Sequence, residues 1–182
     1  MPRWAICSSF LLIAASPAFA QGRLTQNEAL RLAFPTPATI ERRTAYLSDS
    51  ELTSARTLAG SDVDMSQSVV TYYVAVQAGA PVGVAYFDSH PVRSMTEVVM
   101  IVVGREDRVR QVEVLRFDEP PEYRAPDAWL AQLKGKALDP GLSLKGDVMN
   151  LTGATLTSRA LVRATRRVLA LHHTINPFGS GR

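Results

Sequence analysis

Val98-Val99-Met100-Ile101-Val102-Val103 is an unbroken apolar run. A strand with one wet face would alternate polar and apolar residues, so this run suits a strand buried on both faces. Gly104-Arg105-Glu106-Asp107 follows as a turn. Val109, Gln111, Glu113 and Leu115 then alternate with Arg110, Val112, Val114 and Arg116. That second segment pairs back on the first, with Val112 and Val114 toward the core. A turn this short joins only antiparallel strands.

Working outward from this hairpin, Val69 to Val76 and Val82 to Phe87 are rich in β-branched and aromatic residues, with Gly79-Ala80-Pro81 between them. They read as another hairpin. Ala38 to Leu47 reads as a further strand. Thr25-Gln26-Asn27-Glu28 and Ser48-Asp49-Ser50-Glu51 are capping boxes, each opening a short helix. Pro35 and Pro37 stop the first, whose Leu30 and Phe34 share a face, and Gly60 ends the second.

After the central strands, Asp118 to Pro126 carries three prolines, which argue against helix and against a strand ladder. Pro126 to Leu133 reads as a short helix anchored by Trp129. The last helix is expected from Thr155 to about His172. Leu156, Ala160, Leu161, Ala164, Val168 and Leu171 form its apolar face, and its arginines point outward. The order of elements is that of a single α+β domain, an antiparallel sheet packed with helices. The expected division is a helix-strand-helix part over residues 21–68, a main part over 69–175 and a frayed tail over 176–182.

The N-terminus reads as a secretory signal peptide over residues 1–20. Arg3 precedes an apolar stretch from Trp4 to Ala15, and Ala18-Phe19-Ala20 puts small residues where a signal peptidase cuts. The stretch is short for a bilayer, which needs about 20 residues; an uncleaved anchor is the alternative. The chain is therefore expected to be exported and periplasmic. Its single cysteine, Cys7, lies in the removed segment. A cysteine-free mature chain has no disulfide, thiolate nucleophile, iron–sulfur cluster or zinc–thiolate site. About 160 residues remain, enough for one domain with its own core. The formal net charge of +3 is too small for an exported chain to be read as a nucleic-acid binder.

Leu151-Thr152-Gly153-Ala154-Thr155-Leu156-Thr157-Ser158 opens the last helix. A helix start has free N–H groups and a partial positive charge, and both favour a phosphate. Gly153 and Ala154 let a ligand come close to the backbone. Thr152, Thr155, Thr157 and Ser158 add hydroxyl groups that donate to phosphate oxygens. Local physics leaves two readings open, a phosphate site or simply a turn with its N-cap.

The same residues resemble the flavin-attachment motif of the FMN-binding domain family, Ser/Thr-Gly-Ala-Thr/Ser. That family includes the periplasmic C subunit of the sodium-pumping NADH:quinone reductase and the G subunit of the Rnf complex. The resemblance covers roughly Val69 to Leu171. It implies FMN joined through its phosphate to Thr155 as phosphothreonyl-FMN, with Thr152, Gly153, Ala154, Leu156, Thr157 and Ser158 around it. It implies a separate flavin transferase using FAD, and a membrane or periplasmic redox protein as partner. The chain would then be an electron carrier rather than an enzyme. A flavin-free binding module of the same fold and a small flavin-dependent reductase are the alternatives.

Small exported members of the family resemble the chain also at Ala29 to Pro35 and at Asp88-Ser89-His90-Pro91-Val92-Arg93. Two departures stand out. The family's Glu-Thr-Pro-Gly loop reads Glu119-Pro120-Pro121-Glu122 here, and Met149 stands where the family often has Asp.

His90 and Arg93 are candidates for contact with the flavin ring or phosphate, or are loop residues. Glu119 and Tyr123 are candidates for facing the ring, or belong to a rigid solvated loop. His172 and His173 are adjacent on a helix, so they point apart and make a poor metal pair; they suit the helix C-terminus. Glu97, Glu113, Asp139 and Asp147 show no paired spacing for hydrolase chemistry. No nucleophile-elbow or phosphate-loop motif occurs.

Overall fold

The computed structural model describes residues 24–179. The expected signal peptide and Cys7 lie outside the described residues, as do residues 180–182. Helix α1 (Gln26–Ala33) begins at the first capping box. The Thr25 hydroxyl accepts from the Glu28 N–H, and the Glu28 carboxylate accepts from the Thr25 N–H at 2.8 Å. Helix α2 (Asp49–Ala59) begins the same way at Ser48 and Glu51, and ends at Gly60 with φ +99°. Between them runs strand β1 (Thr39–Tyr46).

Strands β2 (Val69–Gln77), β3 (Ala80–Pro91), β4 (Thr96–Val103) and β5 (Val109–Phe117) complete a five-stranded sheet in the order β1-β2-β3-β4-β5. Every neighbouring pair is antiparallel. The β2–β3 turn is Ala78-Gly79, both with positive φ, as a two-residue hairpin whose twist matches its strands requires. β1 pairs with β2 from Thr39↔Val76 to Tyr46↔Val69, so the N-terminal part is built into the same sheet. β3 runs beyond the expected end at Phe87. Its polar residues Asp88 and His90 stay in the ladder opposite Val99 and Glu97 because their side chains find buried partners.

The central apolar run divides between two cores. Val99, Ile101 and Val103 face the core under α2 and the last helix, with Val112 and Val114 of β5. Met100 and Val102 face the other side, where Leu30, Ala33 and Phe34 of the α1 segment pack with Ala75, Ala85 and Leu115. β4 is therefore dry on both faces, as its sequence requires. The short helix α3 (Asp127–Leu130) continues as one 3₁₀ turn to Leu133 and buries Trp129. The proline loop holds a 3₁₀ turn over Pro121–Tyr123, which corrects the expectation of no helix there. Pro121 takes the first position of that turn, where its missing N–H costs nothing.

Helix α4 (Thr155–Ile175) lies over β3 and β4 and packs beside α2. Its buried face is wider than the expected stripe, taking in Val162, Thr165, Leu169, Ala170 and His172, because two neighbours cover it. Leu156 is exposed, contrary to expectation; in this first turn Thr157 and Ser158 are the buried side chains. Two arginines also turn inward. Arg166 donates to the carbonyls of Ala59, Asp139 and Leu142, and Arg167 donates to the Asp64 carbonyl.

His172 is buried and does not serve the helix end. The Tyr86 hydroxyl donates to its Nδ1 at 3.0 Å, and its Nε2 donates to Asp107 at 3.1 Å. Burial pushes its imidazole pKa down against the pull of Asp107 and keeps it neutral. Beyond Asn176, which closes the helix in the left-handed region, Phe178 sets its ring edge-on to His172 at 5.2 Å.

Gly83 lets α1 sit on the sheet. A Cβ there would lie 2.8 Å from Cε1 of Phe34, a buried ring with no room to retreat. Gly83→Ala is expected to destabilise the fold by about 1–3 kcal/mol through overpacking. Urea unfolding of Gly83→Ala, alone and with Phe34→Leu, checks this. The second change should recover part of the loss.

Candidate functional site

The N-terminus of α4 meets two loops. Thr152 and Gly153 are exposed on the preceding turn, and Gly153 has φ +85°, a conformation that favours glycine. A side chain at Gly153 would meet nothing within 4 Å, so the backbone here is open. Ala154 is the N-cap and offers no side-chain hydrogen bond to the first turn. That turn keeps its N–H groups for a ligand.

A cleft of about 250 Å3 opens over it, lined by Val92, Arg93, Glu119, Tyr123 and Gly153 through Thr157. Glu119 holds the cleft's far wall in place. One of its carboxylate oxygens accepts from the N–H groups of Ser94 (2.7 Å), Met95 (2.8 Å) and Arg93 (3.1 Å). These donors, Ser94 first, hold the carboxyl below its ordinary pKa. Glu119 thus ties the β3–β4 turn to the proline loop. Thr157 ties that loop to α4, its hydroxyl donating to the Tyr123 carbonyl at 2.7 Å.

The motif hydroxyls therefore have separate roles. Thr157 lines the cleft, but its hydrogen is engaged and its side chain buried. Ser158 is fully buried and donates to Oδ1 of Asn150 at 2.8 Å. Thr152 lies outside the lining. Thr155 is half-buried at the cleft, and its oxygen accepts from Asn150 Nδ2 at 2.9 Å. Leu156, exposed and apolar, forms part of the wall, as does Tyr123. Met149 is exposed. Its carbonyl accepts from the Trp129 indole at 2.7 Å and its N–H donates to Gln132. Both bonds use only the backbone of Met149 and fasten this turn to α3.

The structure brings Arg93, Glu119, Tyr123 and Thr155 together and leaves His90 apart. His90 is buried beneath α4 instead. Its Nδ1 meets Asp88 at 2.8 Å and its Nε2 meets Glu97 at 3.1 Å. Asp88 also receives Arg167 on both oxygens, at 2.9 and 2.8 Å. Burial pushes the His90 imidazole down, but the bonds to Asp88 and Glu97 outweigh it and raise the pKa to about 9. Burial likewise pushes the Asp88 carboxyl up, and His90 with Arg167 brings it below its ordinary value.

Asp88 and His90 are two apart on a strand, so they share a face; that spacing was the signal for this cluster. Asn150 and Val92 carried no comparable signal. A separate cleft of about 500 Å3 opens where β2 and β3 part, lined by Asp88, His90 and Arg167 but not by Thr155. Among the described residues no group of three or more His, Asp or Glu side chains is placed to hold a metal ion. No described helix is long and apolar enough to cross a membrane.

An open helix N-terminus, a glycine in the left-handed region and a cleft with a hydroxyl and an arginine are features that suit a phosphorylated ligand. Residues 94–170 match the FMN-binding domain family, from the β3–β4 turn through most of α4. The chain thus carries an FMN-binding domain over that stretch, and FMN is its cofactor. The match contains Glu119, Tyr123 and the whole Thr152–Ser158 motif; His90, Arg93 and residues 29–35 lie outside it. No curated protein and no solved structure matches the chain. The site fits the cofactor. The uncapped first turn of α4 suits a phosphate, while Val92, Tyr123 and Leu156 offer apolar surface to an aromatic ring.

The buried His90 gives stability a definite pH dependence. Its folded pKa of about 9 lies above the unfolded 6.5, so its contribution is complete below pH 6.5 and lost as pH rises through 9. The size is on the order of 3 kcal/mol. His90→Gln should unfold at nearly the same urea concentration at pH 6.5 and 9.5 in this respect, whereas the parent protein should lose stability between them.

Proposed function

We propose that the protein is an exported electron carrier whose FMN is attached through its phosphate to Oγ1 of Thr155. The observation that carries this reading is the position of that oxygen. It lies on the first turn of α4, at the cleft, while the hydrogens of Thr157 and Ser158 are committed to acceptors inside the protein. Arg93 adds positive charge to the same cleft, and Gly153 keeps the approach to the backbone clear.

Attachment needs a co-substrate and a catalyst, since an ordinary hydroxyl is a weak nucleophile. On a separate transferase, Thr155 Oγ1 forms a bond to the phosphorus on the flavin side of FAD. The bond from that phosphorus to the oxygen shared with the AMP phosphate breaks, and AMP leaves. The hydroxyl proton passes to a base of the transferase. No electrons change hands in this step.

When bound, FMN supplies one- and two-electron exchange, and the chain's task is to hold and surround it. Phosphate attachment leaves the ring free of covalent change. It also suits a protein that leaves the cytoplasm, where a dissociated cofactor would not be replaced. The expected signal peptide, the absence of cysteine after it and the tether all fit that setting. A membrane or periplasmic redox protein would exchange electrons with the exposed side of the cleft.

Intact mass tests the tether. Protein produced with a matching flavin transferase should gain one FMN less one water, stay yellow and leave a fluorescent band after denaturation. Thr155→Ala should lose the added mass entirely, and Thr155→Ser should keep it. Unchanged mass in the parent protein beside an active transferase, or added mass on Thr155→Ala, would overturn the reading.

A further inference from the structure

We infer that Asn150 is a positioning residue that selects Thr155 among the motif hydroxyls and orients it for attachment. The inference rests on the attachment proposed above. Asn150 sits at the surface on the turn before α4 and is bound at both ends of its amide. Ser158 Oγ donates to Oδ1 at 2.8 Å, and Nδ2 donates to Thr155 Oγ1 at 2.9 Å. Ser158 has one hydrogen, and the carbonyls of Ala154 and Thr155 are farther from it, at 3.2 and 3.1 Å. Giving that hydrogen to Asn150 fixes which end of the amide faces Thr155. The buried serine thus reads out as a donor aimed at the threonine.

The direction of that bond matters. A threonine hydroxyl has one hydrogen and two lone pairs. Asn150 occupies a lone pair, so the Thr155 hydrogen remains available to a base and the second lone pair to an electrophile. After attachment the oxygen has no hydrogen but still accepts. The Asn150 contact therefore survives the reaction.

Thr157 and Ser158 stand in the opposite relation to their partners. Each donates its hydrogen to an oxygen, and substitution of that hydrogen would destroy the bond and set two oxygens against each other. Attachment at either would forfeit that hydrogen bond, worth about 0.5–1.5 kcal/mol, and would need a phosphate at a buried side chain. Three hydroxyls lie within four residues of one another, and only one has a contact compatible with becoming an ester. Local geometry thereby imposes a choice that the residue types alone do not.

The test is the rate at which purified protein gains flavin mass from FAD and transferase. Asn150→Asp keeps the size of the side chain and replaces the donor with an acceptor; Asn150→Leu removes both. With Asn150 exposed, both variants are expected to fold, and circular dichroism with thermal melting checks this. Both should load with a kcat lowered about tenfold, the scale of one well-oriented hydrogen bond, at unchanged KM for FAD. Ser158→Ala, which frees the amide to turn, should fall between them and the parent.

Three results overturn the inference. Loading of Asn150→Asp and Asn150→Leu at the parent rate, while the parent gains its flavin normally, refutes the role of Asn150 alone. Slower loading that follows a fall in melting temperature assigns Asn150 a merely structural part. Failure of the parent to load refutes the attachment at Thr155 and this inference with it.

Discussion

The seating of α4 on β3 and β4 is the constraint from which the site follows. Leu161, Ala164 and Val168 are buried against the sheet, and the Arg167–Asp88–His90–Glu97 chain ties the helix to both strands. Charged groups so deeply placed are costly unless each is paired. The strand must therefore present Asp88 and His90 where Arg167 arrives, and this fixes how far α4 can slide. Its first turn then shares the cleft with Val92 and Arg93, just past the end of β3. A helix that slid by one turn would carry Thr155 about 5.4 Å away from the Arg93 side of the cleft.

The walls of the cleft depend on bonds between loops more than on packing. Glu119 collects three N–H groups from a turn more than twenty residues earlier, and Thr157 takes the carbonyl of Tyr123. The proline loop has little regular structure with which to hold itself, and these bonds supply its position. Pro120 and Glu122 replace residues of the related loop without touching either bond, since Glu119 works through its side chain and Tyr123 through its carbonyl. The cleft thus tolerates change in that loop at positions where only the backbone path matters.

Much of the fold was legible residue by residue. The run Val98–Val103 showed a strand dry on both faces, and the two cores divide it as alternation demands. Both capping boxes start helices where they stand, because their bonds span only three residues. The hydroxyl-rich turn was placed at the start of the last helix, and the family match covers it. Less was legible where a residue's partner lies far along the chain. His90 read as a flavin contact or a loop residue because the strand was expected to end at Phe87; its partner Glu97 and the Arg167 that pairs Asp88 are 7 and 79 residues from His90 and Asp88 respectively. Leu156 read as core because it falls on the apolar stripe, yet it is exposed at the wall of the cleft.

The sequence by itself determined the kinds of elements, their order and the chemistry available at the helix start. Capping, turn geometry and side-chain alternation act over a few residues, so they are written locally. Tertiary structure alone decided which hydroxyl faces the cleft with its hydrogen free. Thr155, Thr157 and Ser158 are nearly equivalent as residue types. They differ in what lies opposite each: an amide donor from Asn150 for the first, a carbonyl from Tyr123 for the second, an amide oxygen from Asn150 for the third. Those partners are set by how the turn before α4 and the proline loop fold against the helix, which no local pattern specifies.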